Sequence, residues 1–191
     1  DAIRQGLRTF DSTFFQAPGR MNVYSEHPFK VLFDYGHNAH AVGVMADLAQ
    51  RLDVTGRRIV VLAGPGDRRD QDLREIAEAV AGRFDHYICR RDDSLRGRAS
   101  DEVPKLQAAR LRELGVAESA ISVIPDEQEA IDAGLAMGRA GDLLLIFADA
   151  LVRSWKQVIK FRPNGEPEVA IAEKLPEPQS QPAVVERAFV P

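Results

Sequence analysis

Asp34, His37 and Asn38 stand within five residues of one another, around Gly36. Asp34 and Asn38 can meet hydroxyls and amides of a ribose or base, and glycine permits a tight turn there. Asn38 has a second use, as the cap of a following helix. A second stretch, Gly64-Pro65-Gly66-Asp67-Arg68-Arg69-Asp70, couples two glycines to Arg68 and Arg69 just ahead of a helix start. Glycines let a backbone approach a ligand closely, and a helix N-terminus favours an anion. The third stretch runs Arg91-Asp92-Asp93-Ser94-Leu95-Arg96-Gly97-Arg98. It has too few apolar side chains to be made for packing. Carboxylates beside guanidinium groups are what a zwitterionic amino acid needs. Surface charge and an ordinary helix entry remain the plain alternatives for both loops. Arg20, in the turn Pro18-Gly19-Arg20, carries little information alone. His37 and His40 lie three apart with no third ligand evident, so no metal site is expected. His27 and His86 read as surface or structural, Asp149 as a helix N-cap and Trp155 as packing.

Something must hold these loops, and the pattern of the chain says what. Short apolar runs alternate with helical periodicity. Strands are expected at Met21–Tyr24 and Lys30–Asp34, joined by a turn at 25–28, then at 58–63, 85–90, 121–124 and 142–147. Helices are expected at 41–52, 71–83, 103–114 and 127–137, with a short one at 150–156. Residues 157–161 and 168–172 read as a terminal hairpin around Pro163-Asn164-Gly165. The expected fold is α/β: a Rossmann-like, mostly parallel sheet flanked by helices, with a terminal antiparallel hairpin. Ligands on such a sheet bind at the carboxyl ends of the strands. All three chemical loops follow an apolar run.

Length and composition narrow the classes. The 191 residues carry a net charge of −4, which argues against a general nucleic-acid-binding surface. No apolar run approaches a membrane span. Gly-x-x-x-x-Gly-Lys-[Ser/Thr] is absent, so the chain holds no phosphate loop of its own. The one cysteine, Cys89 in an apolar stretch, excludes a disulfide framework and reads as a buried strand residue. No signal peptide is visible, which fits a cytoplasmic setting. The basic residues are 20 Arg against 5 Lys, a bias toward planar, bidentate contacts that genome composition also explains. Residues 1–17, with Ile3, Leu7 and Phe10 on one helical face, read as the end of a preceding central domain and its linker. Residues 18–173 read as the domain proper and 174–191 as a Pro-rich tail. The start resembles a cut from something longer.

The motifs also occur in a recognisable order. Pro-Gly-Arg at 18–20, Asp-Tyr-Gly-His-Asn at 34–38, Gly-Pro-Gly-Asp-Arg-Arg-Asp at 64–70, the Asp93–Arg98 segment and Pro-Asp-Glu-x-Glu-Ala-Ile at 125–131 follow one another. Together they resemble the C-terminal domain of the Mur ligase family, nearest to its cyanophycin synthetase branch. The resemblance implies an ATP-dependent amide ligase with Mg²⁺. ATP phosphorylates a carboxylate, and an amino acid, arginine in that branch, attacks the acyl phosphate. It implies that Arg20, Asp34, His37 and Asn38 line the ATP site, with Asp34 at the ribose and Arg20 near phosphates. It places Asp67, Arg68, Arg69, Asp92, Asp93 and Arg96 around the amino acid, with Arg96 on its carboxylate and Asp92 or Asp93 at a guanidinium. The phosphate loop and the Mg²⁺ ligands are implied on an upstream central domain, so this chain alone is expected to be inactive. Homo-oligomerisation of the whole protein fits the same picture. Where related proteins often have proline after the His-Asn pair, this chain has Ala39. The alternatives are another Mur-like ligase, of peptidoglycan-precursor or folylpolyglutamate type, or a nucleotide- or amino-acid-binding module without catalysis.

Overall fold

The structure is a computed structural model, and it describes residues 13–163. Its centre is a six-stranded sheet built from β1 (Asn22–Tyr24), β2 (Lys30–Asp34), β3 (Arg58–Leu62), β4 (His86–Cys89), β5 (Ile121–Val123) and β6 (Leu143–Phe147). The spatial order is β1-β2-β6-β3-β4-β5. β1 pairs antiparallel with β2, and the other four pairings are parallel. Five α-helices connect them: α1 (Ala39–Arg51), α2 (Asp70–Val80), α3 (Glu102–Glu113), α4 (Glu127–Met137) and α5 (Leu151–Lys160).

Strand alternation divides the core in two. Leu32, Val60, Leu62, Leu143, Leu145 and Phe147 face α1, α2 and α3. Val31, Phe33, Ile59, Val61, Leu144 and Ile146 face α4 and α5. Strands buried on both faces need unbroken apolar runs, which is why 58–62 and 143–147 were legible. β6 sits centrally although it is last in sequence. The chain therefore reverses its direction of travel beside β6 and β3, and a crevice opens there at the carboxyl end.

Cys89 closes β4 and is wholly buried. Burial pushes its thiol up to about 12. Trp155 packs as expected, its ring stacked on Phe14 with centroids 4.8 Å apart. His27 is buried as well, its Nε2 2.8 Å from the Val158 carbonyl oxygen.

The terminal hairpin is corrected. Residues 157–160 continue α5 rather than forming a strand. Leu151, Trp155, Val158 and Ile159 make one face that packs on the second core, and this period outweighs the β-branched pair Val158-Ile159. The partner stretch 168–172, the helical face at Ile3–Phe10 and the 174–191 tail lie outside the described residues.

Candidate functional site

The loop after β2 is shaped by its own acid. Asp34 is buried and accepts from the Gly36 amide at 2.7 Å and from the Met21 amide at 2.8 Å. It thereby stitches the Pro18–Arg20 turn to the Asp34–Asn38 turn. The Tyr35 amide donates to the Gly19 carbonyl at 2.9 Å, and the Arg20 guanidinium lies 5.7 Å from the Tyr35 ring centre. Met21 is held at φ +50°, in the left-handed region. Asn38 caps α1, accepting from the Ala41 amide at 2.9 Å.

The Gly64–Asp70 loop after β3 corrects one expectation. Its glycines admit neighbouring protein. A Cβ on Gly64 would lie 2.6 Å from the Leu73 side chain, and one on Gly66 would lie 2.3 Å from the Leu95 carbonyl oxygen. The loop is tied to the one after β4. Arg98 donates to the Gly66 and Arg68 carbonyls at 2.8 and 2.6 Å and pairs with Asp70 and Glu102. Arg96, at φ +48°, reaches Asp67 at 2.5 Å. Arg69 turns away to Asp72 at the start of α2, while Arg68 stays exposed.

Beyond β4 the chain dips under a narrow crevice of about 10 Å³. Tyr35, Gly36 and His37 line it after β2, Ala63 and Gly64 after β3, Arg90 and Asp92 after β4, and Ala148 and Asp149 after β6. Asp92 is nearly buried. Desolvation pushes its carboxyl up to about 6, Arg90 opposes that, and Asp149 and Glu127 add to it. Asp93 is held at the rim, where Arg153 donates to it at 2.8 Å. The structure thus brings His37 and Asp92 to one crevice. Asp34 lies beneath its rim, and the Asp67–Arg96 pair stands on the neighbouring loops.

Two residues were missed. Arg90 and Glu127 are both fully buried and lie 2.9 Å apart. Arg90 read as the end of a strand and Glu127 as a polar helix position. A hint was available: an Arg directly after an apolar run and a Glu ahead of an apolar helical face both fall near the core. Glu127 also explains why Asp149 is not the cap of α5. The Asp149 and Ala150 amides both donate to Glu127 at 3.2 Å, while the Asp149 carboxylate accepts from the Asp93 amide at 3.3 Å. A carboxylate from α4 thus serves the N-terminus of α5.

A wider cavity of about 340 Å³ lies at the opposite, amino end of the parallel strands, lined by His27, Lys30, Asp53, Thr55 and Asp142. None of the three chemical loops reaches it. Among the described residues no three His, Cys, Asp or Glu side chains converge as a metal cage, and no helix is long and apolar enough to cross a membrane.

Residues 19–150 match the family model described as Mur ligase, glutamate ligase domain. The chain belongs to the Mur ligase family. This Mur ligase domain is 37% identical over 169 residues to a cyanophycin synthetase of Geminocystis herdmanii (strain PCC 6308), covering 87% of this chain and 19% of that protein. It spans about a fifth of the length of the cyanophycin synthetases it matches. Its fold is that of solved Mur-type ligases. A UDP-N-acetylmuramoyl-L-alanyl-D-glutamate–2,6-diaminopimelate ligase superposes with a TM-score of 0.59 at 20% identity, over 82% of this chain and 36% of the other. The folylpolyglutamate synthase of Mycobacterium tuberculosis, complexed with ADP and AMPPCP, gives 0.57 at 20% identity, over 85% and 36%.

Proposed function

We propose that this chain is the C-terminal domain of an ATP-dependent carboxylate–amine ligase of cyanophycin synthetase type. It closes over ATP held by an upstream phosphate-loop domain and presents an amino acid, arginine, to an acyl phosphate. The domain spans residues 18–173, with Mg²⁺ held on the upstream domain. The observation that carries this reading is the convergence of the loops after β2, β3, β4 and β6 on one crevice with guanidinium and carboxylate groups in its walls.

In this reading the carboxylate to be activated attacks the γ-phosphorus and ADP departs. The amine nitrogen then attacks the acyl carbon, phosphate leaves, and the amine gives up a proton. The chain's own residues bind and orient. Arg20, Asp34, His37 and Asn38 form the nucleotide edge. Asp34 already holds two backbone amides there and Asn38 one, leaving their remaining lone pairs for hydroxyls. Arg96 exchanges Asp67 for the substrate carboxylate, with the exposed Arg68 adding positive charge nearby, while Arg69 stays on Asp72 at the start of α2. Asp92 meets the cationic end of arginine, and Asp93 supports it at the rim.

The test is an NMR titration of the ¹⁵N-labelled 191-residue chain with L-arginine, L-lysine and ATP. Arginine is expected to shift the amides of residues 35–37, 90–96 and 148–149, at lower concentration than lysine. Equal responses to both amino acids, or shifts confined to the amino end of the sheet, would overturn the arginine assignment.

A further inference from the structure

Arg90 and Glu127 have a role that the resemblance does not supply. Charged groups are rarely buried completely, and only with partners. Here the partners include three residues that line the crevice, Asp92, Phe147 and Asp149. Arg90 donates to the Phe147 carbonyl at the end of β6 and to the Arg91 carbonyl, each at 2.6 Å. Its Nη1 stands 2.9 Å from Glu127 and 3.7 Å from Asp92. Glu127 in turn accepts from the Asp149 and Ala150 amides and from the Ser154 hydroxyl. One ion pair therefore grips the segments 90–92 and 147–149 and the starts of α4 and α5. The Arg90 Nε–H is buried with no acceptor among the described residues, so the guanidinium is not fully used by the protein.

A buried pair of this kind is weak evidence for stability, since apolar side chains of equal volume often serve as well. Its placement speaks for another role. We propose that Arg90 and Glu127 are positioning residues, which together set the spacing of the crevice walls and the charge around Asp92 for the incoming amino acid. This rests on the function proposed above. The charged groups around the Asp92 carboxylate are Arg90 after β4, Glu127 of α4, Asp149 after β6 and Arg96 of its own loop, with His37 across the crevice. Arg90 and Glu127 act on Asp92 with opposite sign.

The opposite signs give the test. L-arginine binding to the 191-residue chain is measured by NMR between pH 5 and 8 for wild type, Arg90→Met, Arg90→Lys and Glu127→Gln, with thermal unfolding alongside. Arg90→Met and Glu127→Gln are each expected to weaken arginine binding tenfold or more. The pH midpoint of that binding moves up in Arg90→Met, which loses the positive neighbour, and down in Glu127→Gln, which loses a negative one. Arg90→Lys keeps the charge and keeps the midpoint near wild type. Should Arg90→Met fail to fold, Glu127→Gln against Arg90→Lys still decides. Changed melting temperatures with unmoved midpoints would make the pair merely structural and overturn the proposal. A wild-type chain that binds no arginine at any pH would overturn the proposed function, and this assignment with it.

Discussion

Desolvation at Asp92 has a cost that pH reveals. Its folded carboxyl titrates near 6, above the ordinary 3.8, so the folded state holds that proton more tightly than the unfolded state. The contribution is therefore complete below about pH 4 and is lost as pH rises through 6. Asp92→Asn is expected to be more stable than wild type at pH 8, by about 1–3 kcal/mol in urea unfolding, with the difference vanishing near pH 4. His27 works the other way. Burial holds its ring below the ordinary histidine value, against the help of the Val158 carbonyl, so its contribution is present at neutral pH and lost as pH falls. In the proposed function Arg96 serves binding, and its pairing with Asp67, half exposed, adds little to stability. Arg96→Ala is expected to leave the melting temperature almost unchanged and to weaken arginine binding about tenfold or more by NMR titration, a loss of about 1.4 kcal/mol per decade. Unchanged affinity would remove the carboxylate-grip role. The place of His37 and Asp92 at the carboxyl end of the sheet was legible because they stand in polar loops directly after apolar strand runs. Arg90 and Glu127 were not. A buried ion pair joins residues from distant parts of the chain, and neither local stretch shows the partner.

At the scale of elements the parallel core was legible almost to the residue, because each central strand is apolar on both faces. Helix α4 fell at its observed bounds. The end of α5 was misread. Val158-Ile159 has strand propensity, and Pro163-Asn164-Gly165 is a turn signal, yet burial against the second core decides. That burial is testable with Trp155, the single tryptophan of the chain. Trp155→Ala removes the stack on Phe14 and is expected to lower stability by about 2–4 kcal/mol in urea unfolding followed by far-UV circular dichroism. Asn38→Ala removes the side-chain cap of α1 and should cost about 1 kcal/mol. A larger loss would mean that the Asp34–Asn38 turn unfolds with the cap.

For the whole molecule, the strand order concentrates chemistry at one end of the sheet and closure of the core at its middle. Amides of β3 and β6, wholly interior, should exchange with solvent most slowly, and those of the 91–98 loop fastest among the described residues. The proposed division of labour predicts that the 191-residue chain releases no phosphate from ATP above background in a malachite-green assay. Steady turnover would reject it. The position of Cys89 adds a practical consequence. A thiol sealed inside the sheet and titrating near 12 is nearly inert to alkylating reagents while the domain is closed. With one cysteine in the chain, each modified molecule records one opening event around β4. Modification rates with and without nucleotide or amino acid would then report, molecule by molecule and without any added probe, how strongly each ligand keeps the sheet shut.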